Sequence, residues 1–282
     1  MYNDSFTESL KRGYKRMPTA IRAIITINVV VFLIQALGGQ TLNNFLVQYF
    51  AFYPSVSSTL LQPWRIFTYM FLHAGIFHIL FNMLWLWWMG QAVETNLGPR
   101  TFLVIFLGSG LGGALLDVAL AQVMGFNYVI GASGAVFGVM VAFAYMFPKM
   151  PIMLFLLPPI QARYVVAGII ALEVLFVGAN DRTARIVHLG GAAVGYLLIK
   201  WHYQGMDLSS VLRPLERWFY RLKPSKKRRR VSHMESVSDA KVVEEQEETE
   251  LDEILEKISK DGYENLTDDE KKKLFELSKK ED

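Results

Sequence analysis

Six stretches of this chain are apolar with almost no interruption, at about 20–37, 70–90, 101–121, 133–147, 164–179 and 186–203. Each approaches the ~20 residues that carry an α-helix across a ~30 Å hydrocarbon core. The pattern predicts an all-α polytopic membrane protein of six transmembrane helices with a cytoplasmic helical tail. The fourth and fifth stretches are short and need neighbours to bury their ends. Residues 150–160 (MPIMLFLLPPI) are too short and too broken by proline to cross, which predicts a re-entrant or interfacial path. The connection 38–63 is uncharged and carries Phe45, Tyr49, Phe50, Phe52 and Tyr53, suiting it to lie partly in the membrane interface.

Beyond the sixth stretch the pattern changes. Leu212, Leu215, Trp218, Phe219 and Leu222 recur at helical spacing among Arg213, Arg217 and Arg221, an amphipathic interfacial helix candidate. Leu251, Ile254, Leu255 and Ile258 mark a short helix closed by Gly262. Thr267-x-x-Glu270 is a capping box that opens a second helix through Leu274, Phe275 and Leu277. The expected organisation is an N-terminal arm (1–19), a six-span core (20–203), a basic juxtamembrane segment (204–230), an acidic linker (231–250) and a small helical hairpin (251–282).

Composition agrees with a membrane body. Of 282 residues 52% are hydrophobic and 20% charged, against the larger charged share of soluble domains. Charge is also segregated: residues 1–234 hold 21 Lys and Arg against 8 Asp and Glu, and residues 235–282 hold 8 against 18. The nets of +13 and −10 sum to the overall +3. Basic residues also set orientation. Lys11, Arg12, Lys15, Arg16, Arg100, Lys149, Arg163 and Lys200 fall on one side, while 38–63 and 122–132 carry no charge and 180–185 carries Arg182 and Arg185. Both termini are expected in the cytoplasm of a multi-pass protein. The run Lys226–Arg230 beside a span reads as lipid-binding rather than nucleic-acid-binding. No cysteine is present, which excludes disulfides, thiol catalysis and Cys-based metal sites. No metal and no cofactor are expected.

Under that topology the second, fourth and sixth spans run inward from the outer face, and each carries polar residues near its outer part. At ~1.5 Å per residue, Ser133 lies about 24 Å above Lys149, His78 about as far above Glu94, and His188 roughly 18 Å above Lys200. A Ser, the pair His78 and Asn82, and His188 therefore meet at similar depth. Polar groups in lipid face a bundle interior or a wet cavity. Gly134 and Gly138 on the fourth span, and Gly191 and Gly195 on the sixth, follow these candidates at a spacing that lets two backbones nearly touch. Such glycine pairs are common in membrane helices without chemistry, and a lone serine or histidine there is more often structural. Their coincidence favours a reaction centre opening to the outer face.

These residues carry a resemblance. Gly131-Ala132-Ser133-Gly134 resembles the GxSG nucleophile motif of rhomboid proteases. His78 to Asn82 resembles their HxxxN motif, and His188 with Gly191 and Gly195 their base-bearing sixth span. Trp64-Arg65 matches the tryptophan–arginine pair of their outer loop, and Gly90 to Gly98 with Glu94 also fits. The resemblance covers about 20–203. It implies an intramembrane serine endopeptidase acting on single-span or other membrane proteins, with Ser133 as nucleophile and His188 as base. His78, Asn82 and the Ser133 backbone N–H are the expected oxyanion donors. Phe137, one turn past Ser133, is placed to stack on His188, although the family often has tyrosine there. His73 resembles a histidine that holds water and structure near the outer surface. Trp64 and Arg65 read equally well as an interfacial anchor. No acid is clearly placed as a third member, so the reading is a dyad. Asp117 and Glu173 are assigned hydrogen-bonded structural roles, with tuning of the site by one of them as the lesser alternative, and Glu94 a structural one. An inactive relative would usually lack the serine or histidine, and no inverted repeat supports a transporter.

Overall fold

The computed structural model describes residues 6–124, 127–153, 158–177, 182–214, 217, 254, 256–258, 260 and 266–278. The chain divides into two compact units, Met1–Tyr220 and Arg221–Asp282.

In the first unit the basic arm forms α1 (Phe6–Arg16), and Pro18 then leads into α2 (Thr19–Leu37). The first N–H groups of a helix have no partner within it. Here Ala20 and Ile21 donate to the two carboxylate oxygens of Glu94, each at 2.8 Å. A buried acid thus caps α2 and meets the positive end of its dipole, the structural role its sequence position suggests.

Short helices α3 (Gly39–Phe50), α4 (Val56–Leu61) and α5 (Arg65–Thr68) occupy the first connection, followed by a 3-10 turn at Tyr69–Phe71. The second apolar stretch begins near 70, but its helix, α6, spans Ile76–Leu97. The chain runs extended at Leu72 and Gly75 before the helix starts, so hydrophobicity alone misplaces that boundary. Then come α7 (Pro99–Met124), α8 (Ser133–Met146), α9 (Ala162–Leu175) and α10 (Arg182–Tyr203). Between α8 and α9, β1 (Pro151–Ile152) and β2 (Ile160–Gln161) pair antiparallel, Pro151 with Gln161.

The fold is all-α. Among the described residues, three helices are long and apolar enough to cross a membrane: α2, α6 and Pro99–Gln122 of α7. Helix α8 is apolar but has 14 residues, about 21 Å at 1.5 Å per residue. It packs among α6, α7, α9 and α10, which shield its length. The outer faces of α2 (Ile27, Val30, Leu33) and α6 (Phe77, Phe81, Leu84) are exposed, an apolar surface that suits lipid rather than water.

In the second unit residues 254, 256–258 and 260 are helical and α11 spans Asp268–Ser278. The capping box closes as the sequence predicts: Thr267 N–H donates to Glu270 Oε2 at 2.7 Å, and Glu270 N–H to Thr267 Oγ1 at 3.4 Å. The Lys257 ammonium, 2.8 Å away, and the Thr267 N–H hold the Glu270 carboxyl down at about 2. Most of the expected amphipathic helix after Leu212 and all of the 231–250 linker lie outside the described residues.

Candidate active site

The approach to Ser133 is built by a loop that only glycine can complete. Val129 and Phe52 exchange backbone hydrogen bonds, and the Gly131 N–H donates to the Tyr69 carbonyl at 2.9 Å. Tyr69 is itself fixed by its hydroxyl, which donates to the Gly110 carbonyl at 2.8 Å. Gly131 has φ +123°, a conformation that L side chains rarely adopt. A Cβ there would also stand 2.7 Å from the His78 ring. Two residues on, Ser133 opens α8, so its N–H is one of the donors a helix start leaves without an intrahelical partner.

Helix α10 brings His188 to it. A Cβ on Gly191 would meet the Gly134 carbonyl oxygen, and one on Gly195 the Cα of Gly138, so bare backbones cross at these four positions. On its other side α10 meets α7, where Gly190 faces Gly112 and Gly113. With the helices this close, His188 Nε2 and Ser133 Oγ hydrogen-bond at 2.6 Å. The Phe137 ring lies parallel to the imidazole, 4.5 Å between centroids and 9° between planes. A serine hydroxyl held on an imidazole nitrogen is the arrangement in which a base can remove its proton.

His78 and Asn82 face the same space from α6. The Ala74 N–H donates to His78 Nδ1 at 3.4 Å, which leaves the proton on Nε2, the nitrogen beside Gly131. One N–H of Asn82 donates to the His78 carbonyl at 2.9 Å, and the amide carries a second. His73 is buried and meets His78 edge to face at 5.0 Å; its backbone N–H donates to Gln35.

Two cavities meet at Ser133, His78 and His188. One, about 520 Å³, runs between α6 and α9 and is walled by Phe77, Phe81, Trp85, Met140 and Ile169. The other, about 540 Å³, opens beside Asn127–Ile130 and Ala184. The site therefore has an apolar approach and a loop-lined one.

Trp64 and Arg65 stand elsewhere in the architecture. Trp64 Nε1 donates to the Tyr49 carbonyl at 3.1 Å, and Arg65 donates to the carbonyls of Ala51 and Gln48 at 2.9 and 2.5 Å. Arg65 is buried and its guanidinium lies over the Tyr53 ring. The pair ties the end of α3 to α5, which neither side-chain identity nor spacing discloses.

Of the two acids assigned hydrogen-bonded structural roles, Asp117 is buried with neither oxygen hydrogen-bonded among the described residues. The hydrogen-bonded role expected of it is not what this fold displays. Glu173 accepts from Arg185 at 3.2 Å, and its other oxygen lies 3.2 Å from His188 Nδ1. Sequence spacing does not reveal this pairing, because Glu173 is 15 residues from His188 and on another helix.

The family model for the Rhomboid domain matches residues 60–204, just over half of the chain. A second, for a family of unknown function (DUF6576), matches residues 240–280. The chain is 34% identical over 160 residues to Rhomboid protein 1, mitochondrial, of Saccharomyces cerevisiae, covering 53% of this chain and 45% of that one. It is 36% identical over 131 residues to the rhomboid protease GluP of Bacillus subtilis, covering 45% and 24%. With the rhomboid protease GlpG of Klebsiella pneumoniae it shares 34% over 119 residues, 42% of this chain and 40% of that one. These matches span half or less of each relative's length. With the domain match covering the Gly131–Ser133 loop, His78, His188 and the glycine crossing, and spanning more than half of the chain, this chain belongs to the rhomboid family.

Proposed function

We propose that this chain is an intramembrane serine endopeptidase that hydrolyses peptide bonds in or near transmembrane segments of other membrane proteins. The observation that carries the reading is the 2.6 Å bond between Ser133 and His188 where two cavities meet. His188 takes the Ser133 proton as the hydroxyl oxygen bonds to the scissile carbonyl carbon. The carbonyl oxygen gains the negative charge, and the His78 Nε2–H, the second Asn82 N–H and the Ser133 N–H supply donors for it. Collapse breaks the C–N bond, and the imidazolium returns its proton to the leaving amine. Water, deprotonated by His188, then attacks the acyl carbon; the acyl–Oγ bond breaks and the imidazolium returns its proton to Ser133.

The same reading places six helices across the bilayer, α8 enclosed by its neighbours and α9 at the edge against α8 and α10, with both termini cytoplasmic and the site open to the outer face. The Lys and Arg distribution supports it. The apolar cavity suits an entering transmembrane segment, and the loop-lined one suits water and the extended chain. The chain retains both Ser133 and His188, which sets it apart from inactive relatives.

The test is cleavage of a single-span reporter protein by the purified chain in lipid vesicles. Cleavage by the wild type and none by Ser133→Ala is expected; equal cleavage by both sinks the reading. The oxyanion assignment makes a graded prediction. Loss of one such donor lowers kcat by roughly 10²–10³-fold. Because donors share one oxygen here, Asn82→Ala and His78→Ala are expected near the low end, with KM little changed and the double loss less than additive. A raised KM at unchanged kcat would reassign both to substrate docking.

A further inference from the structure

We propose that Glu173 is a positioning residue for His188, so that the apparatus of this chain is an acid–imidazole–serine relay rather than a two-residue pair. The proposal deepens the hydrolase reading and rests on it. A neutral imidazole carries its proton on one nitrogen or the other, and only the form protonated at Nδ1 leaves Nε2 free to accept from Ser133. Phe137 restrains the plane of the ring but does not choose between the two forms.

Glu173 supplies the choice. Its Oε1 lies 3.2 Å from His188 Nδ1, at hydrogen-bonding distance though off the line of a straight bond. The carboxylate is partly buried, at 15% exposure. An ionised carboxylate can only accept, so it selects the form with the proton on Nδ1. It also opposes the positive charge that His188 acquires when it takes the serine proton.

Arg185 makes this an oriented device. It sits three residues before His188 on α10, and its NH1 donates to Glu173 Oε2 at 3.2 Å. The guanidinium thus occupies one carboxylate oxygen and leaves the other to the imidazole. With no acceptor site on its guanidinium, Arg185 dictates which end of a substituted side chain faces it.

That asymmetry gives an unusual expectation. In Glu173→Gln, Arg185 retains the carbonyl oxygen, and the amide NH₂ is turned toward His188. An NH₂ donates to Nδ1, which forces the proton onto Nε2, the form unable to act as base. The near-isosteric glutamine is therefore expected to be worse than Glu173→Ala.

Two measurements test this on the full-length protein in detergent. The first is ¹⁵N NMR of histidine-labelled protein, with the His188 signals assigned by difference from His188→Ala. The wild type is expected protonated at Nδ1 and Glu173→Gln at Nε2. The second is kinetics on the reporter: Glu173→Gln lowers kcat by about 10²–10⁴-fold with KM within about twofold, and Glu173→Ala lowers it less. If Glu173 only anchors Arg185, then Arg185→Met and Glu173→Gln lose stability alike and the His188 signals do not move; that outcome overturns the proposal. Ring signals are read without substrate, so a chain that cleaves nothing sinks the hydrolase reading while the signals still judge Glu173.

Discussion

Ser133→Ala and His188→Ala are each expected to lower kcat by ~10⁴-fold or more while leaving a folded, detergent-soluble protein. The two act as a unit: without the hydroxyl there is no nucleophile, and without the imidazole the hydroxyl keeps its proton. Their double variant is therefore expected to be no worse than either single one. Neither substitution creates a packing conflict. Ser133→Ala exchanges a hydroxyl for a hydrogen at the start of α8, and His188→Ala leaves space beside an existing cavity. Reporter cleavage with a thermal-unfolding control checks both, and near-wild-type turnover in either variant would remove the pair from the mechanism.

The second large effect is on the crossing that creates the pair. Gly191→Val puts a branched side chain where a Cβ already meets the Gly134 backbone carbonyl. Backbone cannot rotate away as a side chain end can, so α8 and α10 must separate. Overpacking typically costs about 1–3 kcal/mol, and a contact with backbone belongs at the upper end or beyond. A separation of even 1 Å would also break the 2.6 Å Ser133–His188 bond, so stability and turnover are expected to fall together. Gly168→Ala on α9 is the control, because nothing lies within 4 Å of a Cβ there. It is expected to be neutral or more stable, since a helical glycine is less favourable than alanine by about 0.5–1 kcal/mol. Unfolding midpoints and reporter rates for the two variants check this. Equal behaviour would mean that the crossing tolerates side chains.

Much of this architecture is written in the chain because membrane helices announce themselves by composition. The first, third and fourth apolar stretches lie within a few residues of α2, α7 and α8, since Pro18, Pro99 and Ser133 start those helices at sharp boundaries. Ser133 and His188 could be paired from sequence because each is followed by glycines at a four-residue spacing, a local signal of a close crossing. What escaped was set by tertiary geometry. The uncharged 38–63 connection gave no periodicity that marked α3 and α4. Arg65 reaches backbone carbonyls 14 and 17 residues away, which no spacing rule encodes. No definite role for Glu173 is legible in the sequence because its two partners, Arg185 and His188, become neighbours only when α9 packs on α10.

The most direct test of the central claim is the site of labelling by a fluorophosphonate, which reacts with a serine only when its hydroxyl is activated as a nucleophile. Mass spectrometry of the labelled wild-type protein is expected to find the phosphonyl group on Ser133 and on no other serine. His78→Ala and Asn82→Ala are expected to keep the label, because the Ser133–His188 bond is untouched, whereas His188→Ala is expected to lose it. Labelling that persists in Ser133→Ala, or that maps to another serine in the wild type, would contradict the assignment of Ser133 as the nucleophile.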